Sequence, residues 1–100
     1  MSYQKTEMSI IQWAESRKII PNATSSTQLL KVMSEVGELS DELIKGNREA
    51  MKMELGDVMV TLVVFAALED VDLVQCMAMA YDKIKDRTGT MLTNGVFVKA

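Results

Sequence analysis

The stretch SEVGELSDELIKGNREAMKMELGDVMV, residues 34–60, sets the architecture of the chain. Its two halves are rich in good helix formers and are parted by Lys45-Gly46-Asn47. Gly46 suits the left-handed residue that closes a helix, and Lys45 complements the negative end of the helix dipole. Each half also carries two acids three residues apart: Glu35 and Glu38, then Glu54 and Asp57. Residues three apart share one face of a helix. A short link makes the two helices antiparallel neighbours, so the acid pairs can face each other.

Working outward, the spacing predicts four helices, over about residues 2–17, 26–45, 48–68 and 72–87, with a tail over 88–100. In the second helix Leu29, Val32, Met33, Val36, Leu39 and Leu43 recur at helical spacing, which predicts its buried stripe. Ser25 with Gln28, and Asp72 with Gln75, look like capping boxes. Pro21 disfavours helix at Ile20, so IIPNATSS (19–26) reads as a loop. The third helix is apolar on nearly every side from Val58 onward, which predicts a central position or burial against another subunit. In the tail, Asn94-Gly95 between short apolar flanks predicts a β-hairpin that needs packing partners.

Composition narrows the function. A chain of 100 residues forms one domain, and a net charge of −3 without a basic run argues against a nucleic-acid binder. The longest apolar run, 58–68, is too short for a membrane span, and the polar N-terminus does not resemble a signal peptide. A cytoplasmic protein is the expectation. The single cysteine, Cys76, permits no internal disulfide and reads as a small core residue. Histidine is absent, which removes the usual catalytic base and excludes the Glu-x-x-His di-iron bundles.

Acids on a helix usually form a solvated face. Here Glu54 and Asp57 sit at the mouth of the most apolar segment, and four neighbouring acids repel one another unless a cation is bound. An all-oxygen ligand set selects a hard ion, Mg²⁺ or Mn²⁺. The acids lie within helices, so this is not an EF-hand loop, and no P-loop is present.

Glu35-x-x-Glu38, fifteen residues, then Glu54-x-x-Asp57 on consecutive helices resembles the MazG-type nucleoside triphosphate pyrophosphohydrolases of the all-α NTP pyrophosphatase superfamily. The surrounding EVGEL and ELGDV fit the same pattern, and WAESRKI (13–19) resembles the first helix of short, stand-alone, phage-like members. The resemblance implies an all-α, four-helix bundle completed by oligomerisation into a homodimer or tetramer. It implies Mg²⁺-dependent hydrolysis of a (deoxy)nucleoside triphosphate between the α- and β-phosphates, with Mn²⁺ as a possible substitute ion.

On that reading Glu35, Glu38, Glu54 and Asp57 hold the metal, and Glu38 is our choice of catalytic base. Lys83 and Arg87 in YDKIKDR (81–87) match a phosphate-holding pattern, although the family often carries Asn where this chain has Tyr81. Their alternative role is a solvated helix end favoured by the dipole. Trp13 could stack on a base or simply pack, and Gln28 and Lys31 could touch base, sugar or phosphate, with a cap as the other role for Gln28. A narrow dCTP- or dUTP-type hydrolase, one for damaged or signalling nucleotides, and a catalytically silent helical interaction protein are the competing functions.

Overall fold

A computed structural model describes residues 1–100. The elements run α1 (Tyr3–Ser16), α2 (Ile19–Asn22), α3 (Ser25–Lys45), α4 (Arg48–Leu68), α5 (Leu73–Ile84), β1 (Gly89–Met91) and β2 (Phe97–Lys99). The chain is all-α with a small antiparallel hairpin at its end, as the sequence predicts.

The α3–α4 pair is the framework. Gly46, at φ 75°, closes α3; its N–H donates to the Leu43 carbonyl and the Asn47 N–H to the Glu42 carbonyl, each at 3.2 Å. This is the Schellman arrangement that lets a helix stop within one residue. Asn47 Oδ1 then accepts from the Ala50 N–H at 3.1 Å and caps α4. At the far end the Ser25 hydroxyl donates to Glu69 across 2.7 Å, tying the start of α3 to the end of α4.

The predicted box at Ser25 and Gln28 is therefore replaced. Thr24 caps α3 by accepting from the Thr27 N–H at 3.2 Å, which leaves both predicted partners for tertiary contacts. Asp72 does cap α5, accepting from the Gln75 N–H at 3.2 Å. Of the predicted loop, residues 19–22 coil briefly as α2, but Ile20 stays extended (ψ 125°), as the steric demand of the following proline requires.

Helix α4 is central. It packs against α3, α1 and α2, and it supplies Thr61, Val63, Val64 and Ala66 to the small set of buried residues; Ala14, Val32 and Gln28 complete that set. The predicted stripe of α3 needs correction. Val32 is buried and Leu39 half-buried, whereas Leu29, Met33, Val36 and Leu43 are exposed. The face of α3 that meets α4 carries Ser25, Gln28, Val32, Glu35, Leu39 and Glu42 instead. Cys76, predicted as a core residue, is exposed on α5.

Helix α5 packs along none of the other helices. It ends at Ile84, three residues before the predicted limit, so Lys83 is helical and Arg87 is not. The hairpin draws the chain out of the helix here: the Ala100 N–H reaches back to the Thr88 carbonyl at 2.9 Å. In the hairpin Gly95 takes φ 88° and Asn94 Oδ1 accepts from the Val96 N–H at 3.1 Å. The Phe97 ring lies over Gly89, where a side chain would collide with it. The radius of gyration is 16.2 Å, against about 13 Å for a compact domain of this length. No helix is long and apolar enough to cross a membrane.

Candidate metal centre and adjoining pocket

The antiparallel packing of α3 on α4 brings three of the four acids together. Carboxylate oxygens of Glu35, Glu38 and Glu54 lie within 4.8 Å of one another. Glu35 and Glu54 are half-buried between the helices, and Glu38 is exposed at the rim. Asp57, one turn along α4, is half-buried and lies outside that close group. Its charge nonetheless reaches both Glu35 and Glu54.

The electrostatics follow from this crowding. Glu54 is pushed up to about 7, first by loss of surrounding water, then by the hydrogen bonds its protonated form makes to Glu38 and Glu35 and by the charges of Glu38 and Asp57. Glu35 is raised for the same leading reason and by Glu38, while its hydrogen bond with Glu54 acts in the opposite direction. When ionised, these groups can only accept. Accordingly Oε2 of Glu35 and Oε2 of Glu54 are buried without any hydrogen-bond partner. Such orphaned acceptors are costly in a protein interior unless a proton or a cation meets them.

Beside the acids lies a cavity of about 290 Å³. Its walls include Trp13 of α1, Ile19 of α2, Thr27, Gln28 and Lys31 of α3, and Thr61 and Val64 of α4. Three residues named from sequence, Trp13, Gln28 and Lys31, thus meet in one place. Lys31 is one helical turn before Glu35 and Thr61 one turn after Asp57, so the cavity and the carboxylates share the same groove. Gln28 is buried and donates through Nε2 to the Thr61 carbonyl at 3.1 Å, which locks α3 to α4 at the cavity floor. Thr61 turns its hydroxyl back to the carbonyls of Asp57 (3.1 Å) and Val58 (2.8 Å).

Lys83 and Arg87 are not part of this groove's lining: α5, which carries Lys83, packs along neither α3 nor α4, and Arg87 follows its end. The Arg17 guanidinium lies 5.3 Å from the centre of the Trp13 ring. The sequence reading missed this cation–π pair, although its spacing of four residues was the available signal. It also missed Thr27, Ile19 and Val64, whose place at the cavity depends on how α2 folds over α4.

Comparison with known proteins agrees with this architecture. An uncharacterised 18.2 kDa protein from the rep-hol intergenic region of Haemophilus phage HP1 is 33% identical over 69 residues. That match covers 69% of this chain and 42% of the phage protein, so it spans less than half the length of that relative. Among solved structures, the cyanophage S-2L MazG-like pyrophosphohydrolase, bound to dGDP and three catalytic Mn²⁺ ions per active site, is similar with a TM-score of 0.70. The likeness covers 100% of this chain and 98% of that one at 20% identity, and it shows a shared fold. Residues 23–92, which contain α3, α4, α5 and both acid pairs, match the MazG nucleotide pyrophosphohydrolase domain, and the chain belongs to that family.

Proposed function

We propose that the protein is a nucleoside triphosphate pyrophosphohydrolase, releasing a nucleoside monophosphate and pyrophosphate. The observation that carries this reading is the pair of buried, unpartnered oxygens, Glu35 Oε2 and Glu54 Oε2, beside a cavity large enough to begin enclosing a nucleoside. The donor set is all oxygen and strongly acidic, which fits Mg²⁺ or Mn²⁺. Glu35, Glu38 and Glu54 would hold the ion, with Asp57 completing the set. The cyanophage protein's dGDP and Mn²⁺ ions support both the nucleotide and the ion class.

The bound ion would neutralise phosphate charge and make an attacking water more acidic. The remaining work falls to the chain. Glu38, the exposed member of the trio, accepts the proton of a water whose oxygen bonds to the α-phosphorus while the bridging oxygen leaves with pyrophosphate. Lys31 offers a cation at the border between cavity and carboxylates. Trp13, held by Arg17, offers a face for a base. Gln28 positions the cavity wall through its bond to Thr61.

We further infer that the chain acts as a homodimer or tetramer. It exposes 7642 Å² at a mass of 11.1 kDa, whereas a compact monomer of that size exposes roughly 5,700 Å². Lys83 and Arg87 remain proposed phosphate contacts.

A panel of NTPs and dNTPs with Mg²⁺ or Mn²⁺, resolving pyrophosphate from orthophosphate, tests the activity. Pyrophosphate with monophosphate is the expected outcome, and sequential orthophosphate release rejects it. Absence of turnover together with absence of Mn²⁺ binding by calorimetry would point to the silent interaction protein.

A further inference from the structure

The floor of the cavity beside the acids is rich in acceptors and poor in donors. Its polar side chains on α3 and α4 are Thr27, Gln28, Lys31 and Thr61. The Thr61 hydroxyl hydrogen is spent on the carbonyls of Asp57 and Val58, within its own helix. The Thr27 hydroxyl donates to the Thr24 carbonyl at 3.0 Å, within the cap of α3. What either hydroxyl still presents is lone pairs. Lys31 is a donor, but it lies one turn further along α3, at the border with the carboxylates, and the Trp13 indole belongs to α1.

Gln28 completes the pattern. It is only 6% exposed. Its Nε2 donates to the Thr61 carbonyl at 3.1 Å, and the reverse orientation would set Oε1 against that carbonyl, acceptor on acceptor. The amide is thereby fixed, with Oε1 turned away from the α4 backbone. No group of the chain donates to Oε1, and the side-chain polar atoms both sealed and unpartnered are those of Glu35 and Glu54 alone. Oε1 is therefore open to the cavity that Gln28 lines. A buried side chain holds an unused acceptor toward a space that takes a ligand.

Position along the helix says which part of a ligand meets it. Gln28 and Glu35 are two turns apart on one face of α3, about 10 Å at 1.5 Å per residue. That is the reach of a nucleotide from its α-phosphate to the far edge of its base. With the phosphates at the carboxylates and Lys31 between, the base edge arrives at Gln28.

We propose that Gln28 reads the base, and that the cavity selects nucleotides whose base carries an exocyclic amino group over those whose exocyclic groups are all carbonyl oxygens. The inference rests on the nucleotide reading above and names the base class within it. An amino group meets Oε1 and the hydroxyl lone pairs with hydrogens. A carbonyl at the same point meets them oxygen to oxygen and leaves buried acceptors unpaired. Uracil keeps one ring N–H, but flanks it with a carbonyl oxygen on each side.

The test compares substrates that differ in that one group, dCTP with dUTP and dATP with dITP, on the full chain with Mg²⁺. Pyrophosphate release is expected to give a kcat/KM about ten- to a hundredfold higher for the amino member of each pair. Gln28→Met, similar in length and without the amide acceptor, is expected to bring the two members together. Gln28→Glu, which keeps oxygen acceptors and loses the bond to Thr61, is expected to retain the preference. A Gln28 that only supported the fold would lower both members equally in both variants and leave the ratio untouched. Trp13 is the only tryptophan and lines the cavity. Quenching of its emission by α,β-imido triphosphates, which resist cleavage, therefore reads the same preference as affinity, without turnover. Equal values within the wild-type pairs, or a keto preference, overturn the inference, as does an amino preference that survives Gln28→Met. Amino-selective quenching with no pyrophosphate released upholds the base assignment and overturns the hydrolase reading. Unselective turnover does the converse, and the absence of both quenching and turnover overturns the two together.

Discussion

The two faces of α3 invert the usual order of a globular helix. The face packed on α4 carries Gln28, Glu35 and Glu42 among its residues, and the face turned to solvent is almost wholly apolar. A helix that only had to stabilise a core would do the reverse. The inner face thus gives up apolar packing to hold carboxylates, and the outer face is where apolar burial remains to be gained. Half-buried carboxylates with unpartnered oxygens are a strained arrangement that a bound cation relieves.

Substitutions on the two faces are expected to act differently. The largest effect is expected at the inner acids. Glu38→Gln is expected to lower turnover by about 10²–10⁴-fold, the range for loss of a general base, with the helical signal intact; steady-state pyrophosphate release measures it. Glu54→Gln is expected to abolish Mn²⁺ binding by calorimetry and yet raise the melting temperature of the metal-free protein, because a neutral amide removes a buried repulsive charge. A fall in that melting temperature would show that the acids support the fold.

Packing separates the faces next. Val32→Ala, on the inner face, is expected to cost about 2 kcal/mol in urea unfolding. Met33→Ala, one residue on, is expected to cost under about 0.5 kcal/mol in the dissociated chain and to act on association instead. Equal costs in the dissociated chain would erase the distinction.

The pH response follows from the inner face alone. Glu54 has its folded value raised from an ordinary 4.5 to about 7, and Glu35 is raised as well. Both therefore bind protons more tightly when folded. Their contribution to metal-free stability is fully present below the ordinary value and is lost as pH rises toward 7. Thermal unfolding with chelator is expected to show stability declining over that window. Mn²⁺ affinity should move oppositely, tightening up to about pH 7 as the ligands lose their protons. The smallest effect is expected at the turn, where Asn47→Ala should remove one cap and about 1 kcal/mol.

Much of the candidate site was legible because its signals are local. Three-residue spacing places two acids on one helix face whatever surrounds it, and Gly46, Asp72 and Asn94-Gly95 act through their own backbone neighbourhoods. The buried stripe of α3 was misplaced because periodicity reveals that a helix has an apolar side without saying which neighbour takes it. Ser25 and Gln28 look like a cap for a similar reason. Their spacing fitted, but Glu69 and Thr61, 44 and 33 residues away, claimed them.

The helical class, the turn that folds α3 back on α4, the two acid pairs and a set of candidate ligands without histidine were all legible in the sequence. These follow from backbone propensity, side-chain spacing and composition. Only the tertiary structure decided that Glu35, Glu38 and Glu54 converge while Asp57 stands one turn off, that Trp13, Gln28 and Lys31 share one cavity, and that the apolar face of α3 points outward. Those depend on the rotation of each helix about its axis, which is set by the packing of α4 against three neighbours at once.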